Sequence, residues 1–212
     1  MFFYVIEGID GSGKSTQIKI LKETVMRLKL KKCFLFLFEP TNLETGRIIR
    51  SYLKNNIYLS EKEWLNLFDK DREENVKKNI LPNKDKVIIM DRYYFSTAAY
   101  QAKDKSNVEK IFLYFYQKYP EPTAIFYLDI SLENALERIK KRLSDQKTEL
   151  EVFEKEQELK RILENYEYLE KLSIKYNLNW LKIKAKENPF RISKLILRKV
   201  FSDIQNKNKS SL

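Results

Sequence analysis

Along the chain, short apolar runs alternate with stretches whose apolar residues recur at helical spacing, the pattern of βαβ units around a parallel sheet. Phe2–Ile6 is apolar throughout and reads as a strand buried on both faces. Phe34–Phe38, Val87–Met90 and Ala124–Leu128 repeat that pattern, each ended by an acidic residue (Glu39, Asp91 and Asp129), and Trp180–Ile183 is a weaker fifth strand. Lys14–Leu28 carries Ile18, Leu21, Val25 and Leu28 on one helical face. Glu61–Ile80, Val108–Lys118, Leu132–Leu143, Phe153–Tyr176 and Pro189–Phe201 are further helical stretches, with Ser131 and Asn188 standing where N-caps are wanted. The tail 203–212 is polar and is expected to fray. No repeat, linker or shift in composition divides the chain, so residues 1–212 read as one α/β domain.

Composition narrows the function classes. With 212 residues, 43% of them apolar, the chain can bury a full core without covalent staples. Its one cysteine, Cys33, leaves no intramolecular disulfide to form and, inside the run Cys33–Phe38, reads as a buried thiol in a reducing compartment. The apolar start, Met1–Ile6, lacks a basic lead and meets Glu7 at once, and no later stretch approaches a membrane span; the expectation is a cytoplasmic protein. The absence of histidine removes His-based triads, His metal sites and His general bases together. The formal charge is +11, yet basic and acidic residues are interspersed throughout, which favours anionic small-molecule ligands over a dedicated nucleic-acid surface.

The chemistry starts at Gly8-Ile9-Asp10-Gly11-Ser12-Gly13-Lys14-Ser15, which fits G-x-x-x-x-G-K-[ST] between a predicted strand and a predicted helix, the context that identifies a P-loop. Three of the chain's four glycines fall in it, so a chance turn is a poor account. Backbone N–H groups from Gly8 to Thr16 would cradle phosphates at the positive end of the helix, Lys14 would bridge the β- and γ-phosphates, and Ser15 would offer its hydroxyl to Mg²⁺. Asp91, ending a buried strand, stands where such a fold places its Mg²⁺-side carboxylate, commonly through water; a structural cap is the plainer reading of such an Asp alone. These features specify nucleotide hydrolysis or transfer without separating the two.

The run Asp91-Arg92-Tyr93-Tyr94-Phe95-Ser96-Thr97-Ala98-Ala99-Tyr100-Gln101 resembles the D-R-Y-x-x-S-x-x-A-Y-Q stretch of the thymidylate kinase family. Leu67-Phe68 with Arg72, Glu39-Pro40 followed by Gly46-Arg47-Ile48-Ile49-Arg50, and the P-loop spelling from Glu7 to Thr16 are similar to that family in the same order. The resemblance implies a three-layer P-loop fold with a five-stranded parallel sheet of order 2-3-1-4-5 flanked by helices, a homodimer, and transfer of the ATP γ-phosphoryl group to dTMP. It implies that Phe68 stacks on thymine, Arg72 hydrogen-bonds it, and Thr97 and Gln101 face it. Tyr100 would pack on the deoxyribose, Arg92 and Arg50 would hold the monophosphate, and Asp10 would position the acceptor phosphate or its Mg²⁺ shell. Glu39 belongs to the same dTMP-binding set. Phe68 and Arg72 are four apart on a predicted helix and so share a face, as a heterocycle site needs. The plainer alternatives are a core Phe68, a solvated Arg72, an intramolecular ion pair at Arg92 and an ordinary helix-surface Arg50.

A phosphate acceptor is already ionised near neutral pH, so such a reaction asks for positioning, Mg²⁺ and cations rather than a strong base. One family variant carries an Arg within the P-loop; here that position is Gly11. The catalytic cation is then expected in the lid, about 138–152, with Arg142 first and Arg138 and Lys147 next; a basic helix end favoured by the dipole is the alternative. A second departure is Phe38 before Glu39-Pro40, where many bacterial relatives carry Arg, which unsettles the role of Glu39. Two rival functions remain at this level: another pyrimidine nucleoside or nucleoside-monophosphate kinase, and a P-loop ATPase switch, which would not need Phe68, Arg72 and Arg92.

Overall fold

The computed structural model describes residues 1–146 and 156–209, the side chains of 142–146 and 208 excepted. Five parallel strands lie in the order β2-β3-β1-β4-β5: β1 (Phe2–Glu7), β2 (Phe34–Phe38), β3 (Val87–Asp91), β4 (Ala124–Asp129) and β5 (Trp180–Lys184). β1 sits between β3 and β4 and carries Phe3, Tyr4, Val5 and Ile6 at zero exposure, which is why it is apolar on both faces. Among the described residues eight α-helices flank the sheet: α1 (Lys14–Arg27), α2 (Glu44–Lys54), α3 (Glu61–Asn75), α4 (Tyr94–Gln101), α5 (Lys105–Lys118), α6 (Leu132–Gln146), α7 (Glu156–Lys175) and α8 (Pro189–Lys209). α1 packs against α8, whereas α4, α5 and α7 form another packed group. Among the described residues no helix is long and apolar enough to cross a membrane.

Several boundaries differ from the sequence expectation for physical reasons. The polar tail continues α8 as helix to Lys209, and its start is anchored: Asp203 accepts the Tyr4 hydroxyl at 3.0 Å and Lys199 at 2.6 Å, and Phe201 and Ile204 pack on the core. Residues 210–212 lie outside the described residues. Cys33 is exposed at the end of a short 3₁₀ turn, Lys31–Cys33, rather than buried in β2. The helix Glu61–Ile80 resolves into α3 and a π-helical turn, Val76–Ile80. Its start is a capping box, with Ser60 and Glu63 bonding each other's backbone. Ser131 and Asn188 do accept first-turn N–H groups, at 3.4 Å from Asn134 and 2.9 Å from Phe190.

α2 and α3 rest on a small separate core of Ile49, Leu53 and Trp64. The β2–α2 loop is knotted to both: Asp71 of α3 accepts the Thr41 N–H at 2.8 Å and its hydroxyl at 2.5 Å. Gly46 lets α2 press onto this knot, since a Cβ there would stand 2.1 Å from the Thr41 carbonyl oxygen and 2.7 Å from Asp71 Oδ1. Gly46→Ala is therefore expected to cost about 1–3 kcal/mol, read as a lower urea midpoint with unchanged slope. A variant as stable as the wild type would mean that the loop yields freely.

Candidate active site

The loop Gly8–Ser15 joins the carboxyl end of β1 to α1 at the centre of the sheet, where open α/β sheets bind ligands. Gly13, the N-cap of α1, has φ +99°, and Gly11 has φ +79°, backbone conformations that side chains strain. A Cβ on Gly11 would also lie 2.6 Å from the Ala135 carbonyl oxygen of α6, so an arginine in this loop has no room here. Lys14 Nζ donates to the Gly8 and Ile9 carbonyls, both at 2.9 Å, and stands 3.9 Å from Asp10. Burial, reinforced by the Arg92 charge and opposed by Asp10 and Asp91, lowers its pKa to about 8. Ser15 and Thr16 are exposed in the first turn of α1. Ser15 Oγ lies 3.5 Å from Asp91 Oδ2, and Asp91 Oδ1 is buried without a protein partner.

Beside the loop opens a cleft of mostly apolar lining between the P-loop, α3 and α4. Of the residues read from the sequence as acceptor contacts, Asp10, Glu39, Phe68, Arg72, Arg92, Thr97, Tyr100 and Gln101 all line it. Arg50 does not: its Nη1 donates to the Pro40 carbonyl at 2.6 Å and the Thr41 carbonyl at 2.5 Å, and its Nη2 to Asn42, so it braces the loop that carries Glu39. Arg72 is 1% exposed, not the solvated arginine of the plainer reading. Its Nε and Nη2 donate to Glu39 Oε2 at 3.0 and 2.7 Å, and Nη2 also to Thr97 Oγ1 at 2.8 Å. Its guanidinium lies 4.6 Å from the centre of the Phe115 ring and 5.4 Å from that of Tyr93. Burial, opposed by Arg72 and seconded by Asp71, pushes Glu39 up to about 7. Glu39 thus acts as the partner of Arg72. Among the residues that line the cleft, two buried donors have no protein acceptor, Arg72 Nη1 and Gln101 Nε2.

Arg92 follows β3 with φ +67°, a left-handed conformation uncommon outside glycine. Its side chain bridges the two halves of the site. Nη2 pairs with Asp10 of the P-loop, Nη1 donates to Ser96 at 3.1 Å, and the guanidinium lies 4.8 Å over the Tyr100 ring. The Tyr100 hydroxyl accepts the Asp10 N–H at 3.0 Å. The ion pair considered for Arg92 exists, but with Asp10 and not with the adjacent Asp91.

Arg138 of α6 donates to the Gly11 and Ser12 carbonyls at 3.2 and 3.4 Å and to the Ala185 carbonyl at 2.7 Å, clasping the P-loop to the loop after β5. The Arg142 side chain and Lys147, the other two lid cations, lie outside the described residues, as does the lid from residue 147 to 152.

Sequence reasoning passed over several residues on which the site depends. Trp64 stacks behind Phe68, ring centres 5.8 Å apart. On α7, Arg161 and Asn165 donate to carbonyls at the carboxyl end of α4. Glu7 is wholly buried at the end of β1 and Tyr166 of α7 reaches it at 2.8 Å. The signal for Glu7 was visible: a carboxylate continuing a strand buried on both faces must find partners.

A family model described as thymidylate kinase matches residues 6–196. A thymidylate kinase of Leptospira interrogans serovar copenhageni is 44% identical over 168 residues, which span 78% of this chain and 79% of that one. A probable thymidylate kinase of Methanocaldococcus jannaschii is 34% identical over 167 residues, 77% and 79% of the two chains. The crystal structure of a thymidylate kinase from Ehrlichia chaffeensis superposes with a TM-score of 0.66 at 20% identity, covering 94% of this chain and 97% of that one, which bears on the fold.

Proposed function

The chain belongs to the thymidylate kinase family, and from that premise we propose how its own residues carry the phosphorylation of dTMP by ATP. The triphosphate takes the backbone N–H groups of Gly8–Thr16 at the start of α1, and Lys14 exchanges its two loop carbonyls for phosphate oxygens. The acceptor base slides against Phe68, with Thr97 beside it and Tyr100 under the sugar. What carries this assignment is the pair of unpartnered buried donors beside Phe68: Arg72 Nη1 and Gln101 Nε2 suit the carbonyl oxygens of a pyrimidine.

Arg92 and Asp10 then stand between the two nucleotides, so the guanidinium neutralises the acceptor phosphate as it meets the donor. The acceptor oxygen is already ionised and needs no base. Arg142 remains our choice of lid cation for the transferred group, with Arg138 holding the loop from behind through three carbonyls. The Ser15 hydroxyl and Asp91, whose Oδ1 is buried without a partner, fit a Mg²⁺ ion bound largely through substrate phosphates; bound there it would neutralise charge on the transferring group. We further infer a cytoplasmic homodimer serving dTTP synthesis, as the family resemblance suggests.

Steady-state phosphorylation of dTMP, dUMP, CMP and thymidine tests the reading. The expected result is a kcat/KM for dTMP at least about 10²-fold above that for CMP, because a site with two unpaired donors rejects a ring whose exocyclic amine meets them. Equal rates with CMP would return the choice to a broader pyrimidine kinase, and ATP hydrolysis without acceptor phosphorylation to a P-loop switch.

A further inference from the structure

We propose that Glu7 is a positioning residue for Arg92: from beneath the cleft it fixes Ser96, and through Ser96 the guanidinium that faces the acceptor, and it ties that point to α7 through Tyr166. The inference rests on the acceptor-site reading above and adds a residue that lines no part of the cleft.

Glu7 has zero exposure, where a carboxylate is tolerated only with its oxygens filled. They are filled by four donors. Oε1 accepts the backbone N–H groups of Tyr93 at 2.8 Å and Ser96 at 3.3 Å. Oε2 accepts the hydroxyls of Ser96 at 2.6 Å and Tyr166 at 2.8 Å. Burial raises the pKa of Glu7 against these bonds and the Arg92 charge. α4 has no side-chain cap of its own at Tyr93, so this carboxylate, from a different element, caps it and meets the positive end of its dipole.

The consequence for Arg92 is directional. With its proton committed to Glu7, the Ser96 hydroxyl turns a lone pair to Arg92 Nη1 at 3.1 Å. Arg92 is thereby held at two points, Asp10 on the P-loop side and Ser96 on the α4 side, while its own N–H reaches the Ile6 carbonyl at 3.0 Å beside Glu7. Tyr166 also lies 3.4 Å from the Gly8 carbonyl that Lys14 uses. One buried carboxylate thus joins the acceptor arginine, the first residue of the P-loop and the helix that follows the lid.

The test is a double-mutant cycle on the full chain with Glu7→Gln, Arg92→Ala and both together. dTMP is titrated into the millimolar range against the fluorescence of Trp64, and an ATP analogue is titrated by calorimetry. Glu7→Gln keeps the shape but puts an amide donor against the two hydroxyls, turning Ser96 away from Arg92. It is expected to weaken dTMP binding by roughly 10- to 100-fold with ATP-analogue affinity within about 3-fold, and to add less than about 3-fold once Arg92 is Ala. Equal losses with and without Arg92, or a single variant within about 2-fold of wild type, overturn the proposal. Should Glu7→Gln fail to fold, Ser96→Ala decides instead: a loss of dTMP affinity that vanishes in the Arg92→Ala background supports the relay, and one that persists refutes it. If Arg92→Ala alone leaves dTMP binding intact, the acceptor-site reading falls first and takes this inference with it.

Discussion

Arg92→Ala is expected to lower kcat/KM for dTMP by roughly 10³-fold or more, while the affinity for an ATP analogue changes by less than about 3-fold. The size follows from what the guanidinium does in the ground state. It neutralises Asp10, bonds Ser96 and covers Tyr100, so its loss removes a cation from the meeting point of two anions and leaves the Asp10 carboxylate facing the incoming phosphate. The backbone does not confuse the result, because alanine at φ +67° bears the same left-handed strain that arginine already bears. ATP affinity is spared because the P-loop backbone and Lys14, not Arg92, take the triphosphate. Steady-state rates and calorimetry separate the two effects. Transfer retained within tenfold would remove Arg92 from the reacting centre.

The fold was legible because its central strands β3, β1 and β4 are buried on both faces and so carry unbroken apolar runs, because the part-exposed edge strand β2 is apolar as well, and because the glycines of this glycine-poor chain collect in one loop. The cleft was legible through the resemblance, which named eight of its lining residues. What escaped was whatever depends on a partner distant in sequence. Arg72 is an ordinary helical arginine until the fold sets Glu39, 33 residues earlier, on its guanidinium and three rings around it. Arg50 carries a motif residue's signature but is spent on loop carbonyls, a commitment invisible without the loop's path. α4 was missed because a helix of eight buried residues shows no amphipathic period, and its cap is supplied by Glu7 rather than by a neighbour in sequence. In the tail, polar composition hides the contacts, Asp203 with Tyr4 above all, that anchor the start of its helical stretch.

Arg72→Met is expected to destabilise the protein by about 3–5 kcal/mol near neutral pH, against a total of about 5–15 kcal/mol for an ordinary domain. The cost is less the lost arginine than the stranded Glu39, for which Asn75 Nδ2, at 3.5 Å, is the donor that stays beside it. This cost carries a pH signature. Glu39 titrates at about 7 in the folded chain against an ordinary 4.5, so its contribution to stability is fully present below 4.5 and is lost as pH rises through 7. Without the guanidinium the folded carboxyl holds its proton to still higher pH, and the loss runs on beyond that window. The penalty of Arg72→Met measured by urea unfolding should therefore be smaller near pH 5.5 than near pH 8 by about 1 kcal/mol or more. A penalty independent of pH would mean that lost ring contacts, not Glu39, set its size. Adding Glu39→Gln resolves stability from function: the double variant removes the buried charge and should recover most of the lost stability, yet it still lacks Nη1 and should remain unable to bind dTMP tightly. A double variant that regained both would show that Arg72 serves the pocket only by neutralising Glu39.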